Sequence, residues 1–310
     1  MPRPAPSAPS SAPPPDPGRP ERFARVRRAF DRAAGTFDEH AGVFDVVGGR
    51  LRERLEVLAT PPTRILELGC RTGRELAALA ERYPGARITG LDPAPAPPRE
   101  APSVWPRWLR RGPAAPARVA GDPHRLPFAD GAFDLVVSSL LLPWCEAPER
   151  VFAEVARVLE TRGALFLATA GPDTLVEYRR AWAAVDAHAH GFGLIDMHDL
   201  GDAMLRAGLA EPVLDRDDVT VDYPSLGALE AELRAVGATN LARGRRAGLT
   251  GPSARTALER AAPGGRFPVT LELVQAHGWK GEPRAPGGGD GVATISLEHL
   301  RRPPGRSPGR

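Results

Sequence analysis

Five short apolar runs separated by helical or loop segments constrain this chain more than any other feature. They are RILEL (64–68), ARITGLD (86–92), ARVAGD (117–122), FDLVVSSLLL (133–142) and GALFLATAG (163–171). The fourth is almost uninterrupted in apolar residues, which suits a strand covered on both faces. Strands alternating with helices build a doubly wound α/β sheet, parallel and with right-handed crossovers. After residue 171 the rhythm changes. Helical segments at 174–189 and 196–209 lead to a strand at 219–223. An arginine-rich helical cap insertion (about 225–262) then precedes a last strand, FPVTLELVQAHGW (267–279). This order predicts a seven-stranded sheet finished by one inserted strand, with the cap between its last two strands.

The flanks differ in kind. Residues 1–20 are rich in proline, alanine and serine and predict a disordered lead, while 282–310 read as a Gly/Pro/Arg-rich tail. The folded part is therefore expected over 21–281, opened by two helical stretches at 21–42 and 44–58. Six prolines between Asp92 and Arg107 make a full crossover helix implausible there. Hydrophobic residues at 42% and charged residues at 25% are those of a water-soluble globular protein. A net charge of +3 does not point to nucleic acid, and no apolar run reaches membrane-spanning length. Two cysteines, Cys70 and Cys145, cannot build a disulfide framework or a metal cluster. A cytoplasmic monomer without metal is the expectation.

In RILELGCRTGRELAAL (64–79), Glu67 ends an apolar strand and Gly69 and Gly73 flank the turn into a helix. Glycines there let backbone amides approach a ligand. The dinucleotide pattern G-x-G-x-x-G is absent, and an acid before the first glycine suits a ligand bearing an ammonium. Alone, this is an ordinary strand-to-helix turn. It is followed by Asp92 at the tip of the next strand, where a carboxylate can hold ribose hydroxyls, and by Asp122 at the tip of a third. Three acids at three consecutive strand ends line one crevice.

This constellation resembles the class I S-adenosylmethionine-dependent methyltransferases, whose Rossmann-like fold has the sheet described. The resemblance places Glu67, Gly69, Arg71 and Gly73 near the methionine part of S-adenosylmethionine. It places Asp92 on the ribose and Asp122 and Pro123 at the adenine, with Ser138 also in the cofactor set. Beyond the cofactor region, LLLPWCEAPE, GPDTLVEYRRAWAAVD, IDMHDLGDA, EPVLDRDDVTVDY and LRAVGATN recur, in that order, in the malonyl-carrier-protein O-methyltransferases of biotin synthesis. The resemblance covers roughly residues 25–280. It implies methylation of the free carboxylate of malonyl-acyl carrier protein on the way to a pimeloyl thioester. The chain departs from the family at Arg71, which replaces the middle glycine of the first motif, at Phe37, at Pro143 and in the proline-broken stretch after Asp92.

Transfer of a methyl group to a carboxylate needs no general base, because ordinary carboxyl groups are ionised at neutral pH. It needs a donor that orients the carboxylate. His190, Tyr178, Arg179 and Trp144 are the candidates, with His190 foremost. Tyr178 and Trp144 read first as packing residues, and His198 as a helix-start residue. An acidic carrier protein would dock on a basic face, either Arg107–Arg111 or the cap segment 242–246 with Arg243, Arg245 and Arg246. Two other readings remain at this level. One is a different acceptor, or arginine hydroxylation as in a related mitochondrial complex I assembly factor. The other is a non-catalytic binding protein whose cofactor loop is spoiled by Arg71. A long cation in that loop must leave the site or fill it, and the expectation is that it swings out to solvent.

Overall fold

The computed structural model describes residues 19–94 and 116–282, apart from 243, 247 and 263. The lead to residue 18, the tail from 283 and the arginine cluster Arg107–Arg111 lie outside the described residues.

Seven strands form one sheet: β1 (Arg64–Leu68), β2 (Arg87–Asp92), β3 (Ala117–Ala120), β4 (Phe133–Ser139), β5 (Leu159–Ala170), β6 (Leu209–Tyr223) and β7 (Phe267–Lys280). Their order is β3-β2-β1-β4-β5-β7-β6. The first five pair in parallel, and β7 lies antiparallel between β5 and β6. This is the expected doubly wound sheet with one inserted strand. Alternate residues of β1 enter opposite layers: Leu66 and Leu68 join one core and Ile65 the other. β4 is buried along nearly its whole length, as its sequence requires.

Helices α1 (Arg19–Ala33), α2 (Gly42–Arg54), α3 (Arg74–Arg82), α4 (Pro148–Val158), α5 (Val176–Ala183), α6 (Met197–Arg206), α7 (Leu226–Ala235) and α8 (Pro252–Ala261) pack around this sheet. In α3, Leu76 and Leu79 are buried, and in α4, Val151, Phe152 and Val155. Both sets have the three- to four-residue spacing of a single helix face. A short 3₁₀ turn at Phe37–Glu39 separates α1 from α2. α7 and α8 occupy the cap insertion, and Leu229 and Leu258 share a core with Trp182 and Phe267.

The first helical stretch, expected to run to 42, ends as α1 at Ala33, and two later boundaries also differ from expectation. β6 begins at Leu209, ten residues before the predicted strand at 219. Its middle carries Asp215, Arg216, Asp217 and Asp218, which hide a strand from an apolar pattern but protect the sheet edge it forms. Arg50 and Arg54 of α2 pair with Asp217 and Asp215. Pro212 sits at the register shift between Ala210 and Val213, where a missing N–H costs no ladder bond. The second of these is α5, predicted to run to 189 but ending at Ala183. The Asp186 carboxylate accepts from the His188 N–H at 2.9 Å, a local turn that competes with further helix. Glu177 fixes α5 on β7 by accepting from the Thr270 N–H (2.9 Å) and hydroxyl (2.7 Å).

Candidate active site

The chain reverses direction across the sheet between β1 and β4, so the carboxyl ends of these strands open a crevice. Gly69 (φ +87°) and Gly73 (φ +85°) turn the chain from β1 into α3 in the left-handed region. A Cβ on Gly73 would displace the Arg118 guanidinium, and its φ of +85° strains any other residue there. Glu67 is 3% exposed and its Oε2 has no hydrogen-bond partner. Burial, and then the neighbouring Glu75 carboxylate, push its pKa up to about 8 against the pull of Arg71. Asp92, 5% exposed, accepts from the Arg71 N–H (2.9 Å) and the Ala94 N–H (2.8 Å). Burial raises its pKa as well, and these two N–H groups oppose the rise.

Asp122 accepts from the His124 N–H at 2.9 Å and meets His124 Nδ1 at 2.6 Å. Pro123 and His124 line the crevice together with Gly69, Arg71 and Asp92, under Phe23, Phe30 and Trp144. Among the described residues the free space there is only about 20 Å³, room for about one water, so a ligand enters only as side chains shift. His124 Nε2 is buried and unpaired. His124 is a residue the sequence reading missed, although its place directly after Pro123 marked it. Ser138 plays a different part: its hydroxyl donates to the Leu68 carbonyl at 3.1 Å and ties β4 to β1. Cys70 and Cys145 are buried, and burial raises the Cys70 thiol pKa far from reactivity.

Arg71 corrects an expectation. Its guanidinium does not swing out to solvent but folds inward, 4.3 Å from the Phe44 ring centre and 5.4 Å from that of Phe37. Nη2 donates to the Ser139 and Leu140 carbonyls, each at 3.3 Å. Aromatic faces, carbonyl dipoles and the nearby Glu67 and Asp92 carboxylates make this a better cation site than the loop surface. Arg71 also holds φ +42°, a conformation that glycine would adopt more readily. The same loop is tied to the N-terminal elements by Thr72–Asp38 (2.7 Å) and Arg74–Asp45 (2.7 and 3.0 Å). The buried pair of acids, the glycine-opened turn and the unpaired Glu67 oxygen fit a ligand with an ammonium and vicinal hydroxyls.

A second cleft lies between α5 and the cap. Tyr178, Arg179 and His190 all border it, as do Trp182, Phe192, Asn240, Arg234, Arg245, Arg246 and Arg255. His190 stacks on Trp182 at 4.0 Å, and its Nε2 lies 2.8 Å from Asp186 Oδ1. That contact holds the Asp186 carboxyl below the usual range. Tyr178 is 3.4 Å from Glu230, and burial pushes its phenol up to about 12. Arg179 donates to the Pro172 carbonyl, while its Nε is buried without a partner. Asn240 donates to the Ala189 carbonyl at 2.7 Å, lacing the cap to the loop that carries His190.

Trp144 stands between the two spaces. It packs edge-on to Phe30 (5.2 Å) on the crevice side and to Phe192 (4.8 Å) on the cleft side. His198 is exposed at the start of α6 beside Asp196, away from both. Arg234, Arg255, Trp182 and Phe192 escaped the sequence reading, because nothing in their local spacing links them to α5.

Residues 66–167 match the family model described as a methyltransferase domain. The chain is 41% identical over 264 residues to the malonyl-[acyl-carrier protein] O-methyltransferase of Laribacter hongkongensis, covering 83% of this chain and 89% of that one. It is 38% identical over 275 residues to the enzyme of that name from Gallionella capsiferriformans, covering 87% and 94%. Among solved structures, it resembles a chain of the complex between the Haloferax volcanii Trm112 methyltransferase activator and its methyltransferase partner. The TM-score is 0.52 at 18% identity, over 84% of this chain and 99% of that one. The fold is thus the class I methyltransferase fold, and the chain belongs to the family of malonyl-[acyl-carrier protein] O-methyltransferases.

Proposed function

We propose that this protein transfers a methyl group from S-adenosylmethionine to the free carboxylate of malonyl-acyl carrier protein, early in biotin biosynthesis. The observation that carries this reading is the cleft: a cation-lined space beside the cofactor crevice, with the Trp144–Phe192 pair between them. Relatives with 36–41% identity carry the corresponding name.

Bound in the crevice, S-adenosylmethionine supplies an electrophilic sulfonium methyl. Glu67 receives the ammonium, Asp92 the ribose hydroxyls, and Asp122, Pro123 and His124 the adenine. Arg71, drawn to the Ser139 and Leu140 carbonyls, competes in part for the region the ammonium needs. On the acceptor side, the Arg179 guanidinium orients the carboxylate, which arrives already ionised. His190 and Trp182 form the wall behind it, with Asp186 fixing the ring. His190 therefore acts by position rather than as a base. Trp144 and Phe192 exclude water from the line between the two groups. Neutralising the acceptor's charge as an ester is what removes malonyl's tag as an ordinary chain extender.

Mass spectrometry of malonyl-acyl carrier protein incubated with the protein and S-adenosylmethionine tests this. The expected product is heavier by one methyl group and releases the carboxylate on mild ester hydrolysis. Acetyl-acyl carrier protein, which lacks the free carboxylate, should gain nothing. Methylation of the acetyl substrate, or of neither, would refute the assignment.

A further inference from the structure

The cleft holds more positive charge than one carboxylate needs. Five arginines border it against a single glutamate, Glu230. Two of the five are already engaged: Arg255 pairs with Glu230 and, at 2.7 Å, with Glu259, and Arg234 lies 3.9 Å from Glu230. Arg179, Arg245 and Arg246 have no acidic partner among the described residues. These three are not equivalent in depth. Arg179 Nε is sealed from solvent, Arg245 is half-buried and Arg246 is exposed.

Arg245 and Arg246 line the same cleft as Arg179, so an acyl thioester whose carboxylate sits on Arg179 lies within reach of the outer pair. The side chains there belong to a loop (236–251) held against the His190 segment by Asn240–Ala189 and by the Ala189 N–H to the Gly244 carbonyl at 3.2 Å. Gly244 takes φ +81° within that loop. Among the described residues the Arg245 side chain donates to the Arg246 carbonyl alone, at 3.3 Å, which leaves most of its fork available. Two adjacent guanidinium forks on a held loop suit the tetrahedral oxygens of a phosphate better than a lone carboxylate.

We infer that Arg245 and Arg246 form a phosphate subsite that reads the phosphopantetheine arm carrying the acyl group. This rests on the proposed malonyl acceptor, and it adds a recognition element on the arm rather than on the carrier's protein surface. The cleft then binds a ligand with two anionic ends, a carboxylate at the inner cation and a phosphate at the outer pair.

Calorimetry with phosphopantetheine and with pantetheine, neither bearing an acyl group, tests the subsite without requiring any turnover. The wild-type protein should bind the phosphorylated arm at least tenfold more tightly. In the Arg245→Ala/Arg246→Ala double variant the two arms should bind equally, with an unchanged melting temperature reporting intact folding. Equal binding of both arms by the wild type, or a preference that survives in the variant, would overturn the inference. A second comparison separates the sources of negative charge. The wild-type ratio of kcat/KM for malonyl-phosphopantetheine over malonyl-pantetheine should collapse towards one in the variant. If the variant instead loses only its rate on the whole carrier protein, the arginines hold protein carboxylates and the phosphate subsite is wrong. Failure to methylate any malonyl substrate would refute the proposed function, and the binding comparison would still decide the subsite.

Discussion

The crevice at the tips of β1 and β2 is lined by groups that already hold one another, whereas the cleft between α5 and the cap leaves its principal charges unpaired. Asp92 grips two backbone N–H groups, Asp122 grips His124, and Arg71 is cradled by two carbonyls and two rings. In the cleft, Arg179, Arg245 and Arg246 pair with no acid among the described residues, while Glu230 is taken by Arg234 and Arg255. The first is organised by the backbone of consecutive strands, with the Arg71 side chain folded into it. The second is organised by side chains from α5, the 186–193 loop and the cap, and its electrostatics are completed only by an anion. One half of the reaction is thus built to hold a cation, and the other to draw in an anionic acceptor.

Breaking the crevice should have the largest effect. Asp92→Asn removes the negative charge that the ribose hydroxyls would meet and disturbs the Arg71 and Ala94 N–H contacts. A loss of about 2–3 kcal/mol, roughly 100-fold in affinity for S-adenosylhomocysteine, is expected by calorimetry. Arg179→Ala should break the other half alone. The kcat/KM for malonyl-acyl carrier protein should fall by roughly 30- to 100-fold, as for removal of one partner of a buried charge pair, with S-adenosylhomocysteine affinity unchanged. Joint loss of both affinities would mean that the two spaces are not separate.

Arg71→Gly sharpens the contrast on a smaller scale. It removes a cation competing near Glu67 and should tighten S-adenosylhomocysteine several-fold, about 1 kcal/mol. Its melting temperature should barely move. Relief of a left-handed arginine, about 1 kcal/mol, offsets a lost cation–π contact of about 0.5–2 kcal/mol. Weaker binding in this variant would make Arg71 part of the binding apparatus.

The last test is a pH slope. Glu67 has a folded pKa of about 8 against an ordinary 4.5. The stability linked to its neutral form is fully present below pH 4.5 and is lost as pH rises through 8. Glu67→Gln should therefore melt higher than the wild type above pH 8 and no higher below pH 4.5. An ammonium bound beside Glu67 favours the ionised form, so wild-type cofactor affinity should rise towards pH 8 and that of Glu67→Gln should stay flat.

The same contrast explains what the sequence made legible. Acid-tipped strands 25 to 30 residues apart place Glu67, Asp92 and Asp122 together because a parallel sheet leaves their tips no other place to go. The long edge strand was only partly legible, since its charged middle, Asp215 to Asp218, lacks the apolar alternation of a half-buried strand. Arg71 was misread because its destination is created by Phe37 and Phe44, which lie some thirty residues earlier and meet it only in the folded chain. Tyr178, Arg179 and His190 were legible as candidates, but their roles were not. The Trp182 stack and the Asp186 contact, on which the proposed positioning role of His190 rests, are tertiary facts. So is the convergence of Arg245 and Arg246 with Arg179 across more than sixty residues of sequence.

The central claim is that a crevice carrying an inward-folded Arg71 still holds its cofactor, independently of the acceptor cleft. Titration of the wild-type protein with S-adenosylhomocysteine in a calorimeter tests it most directly. The account predicts saturable single-site binding that Asp92→Asn abolishes or strongly weakens and Arg179→Ala leaves intact. A folded wild-type protein that gives no binding heat at high ligand concentration, whether or not Arg71→Gly binds, would contradict it.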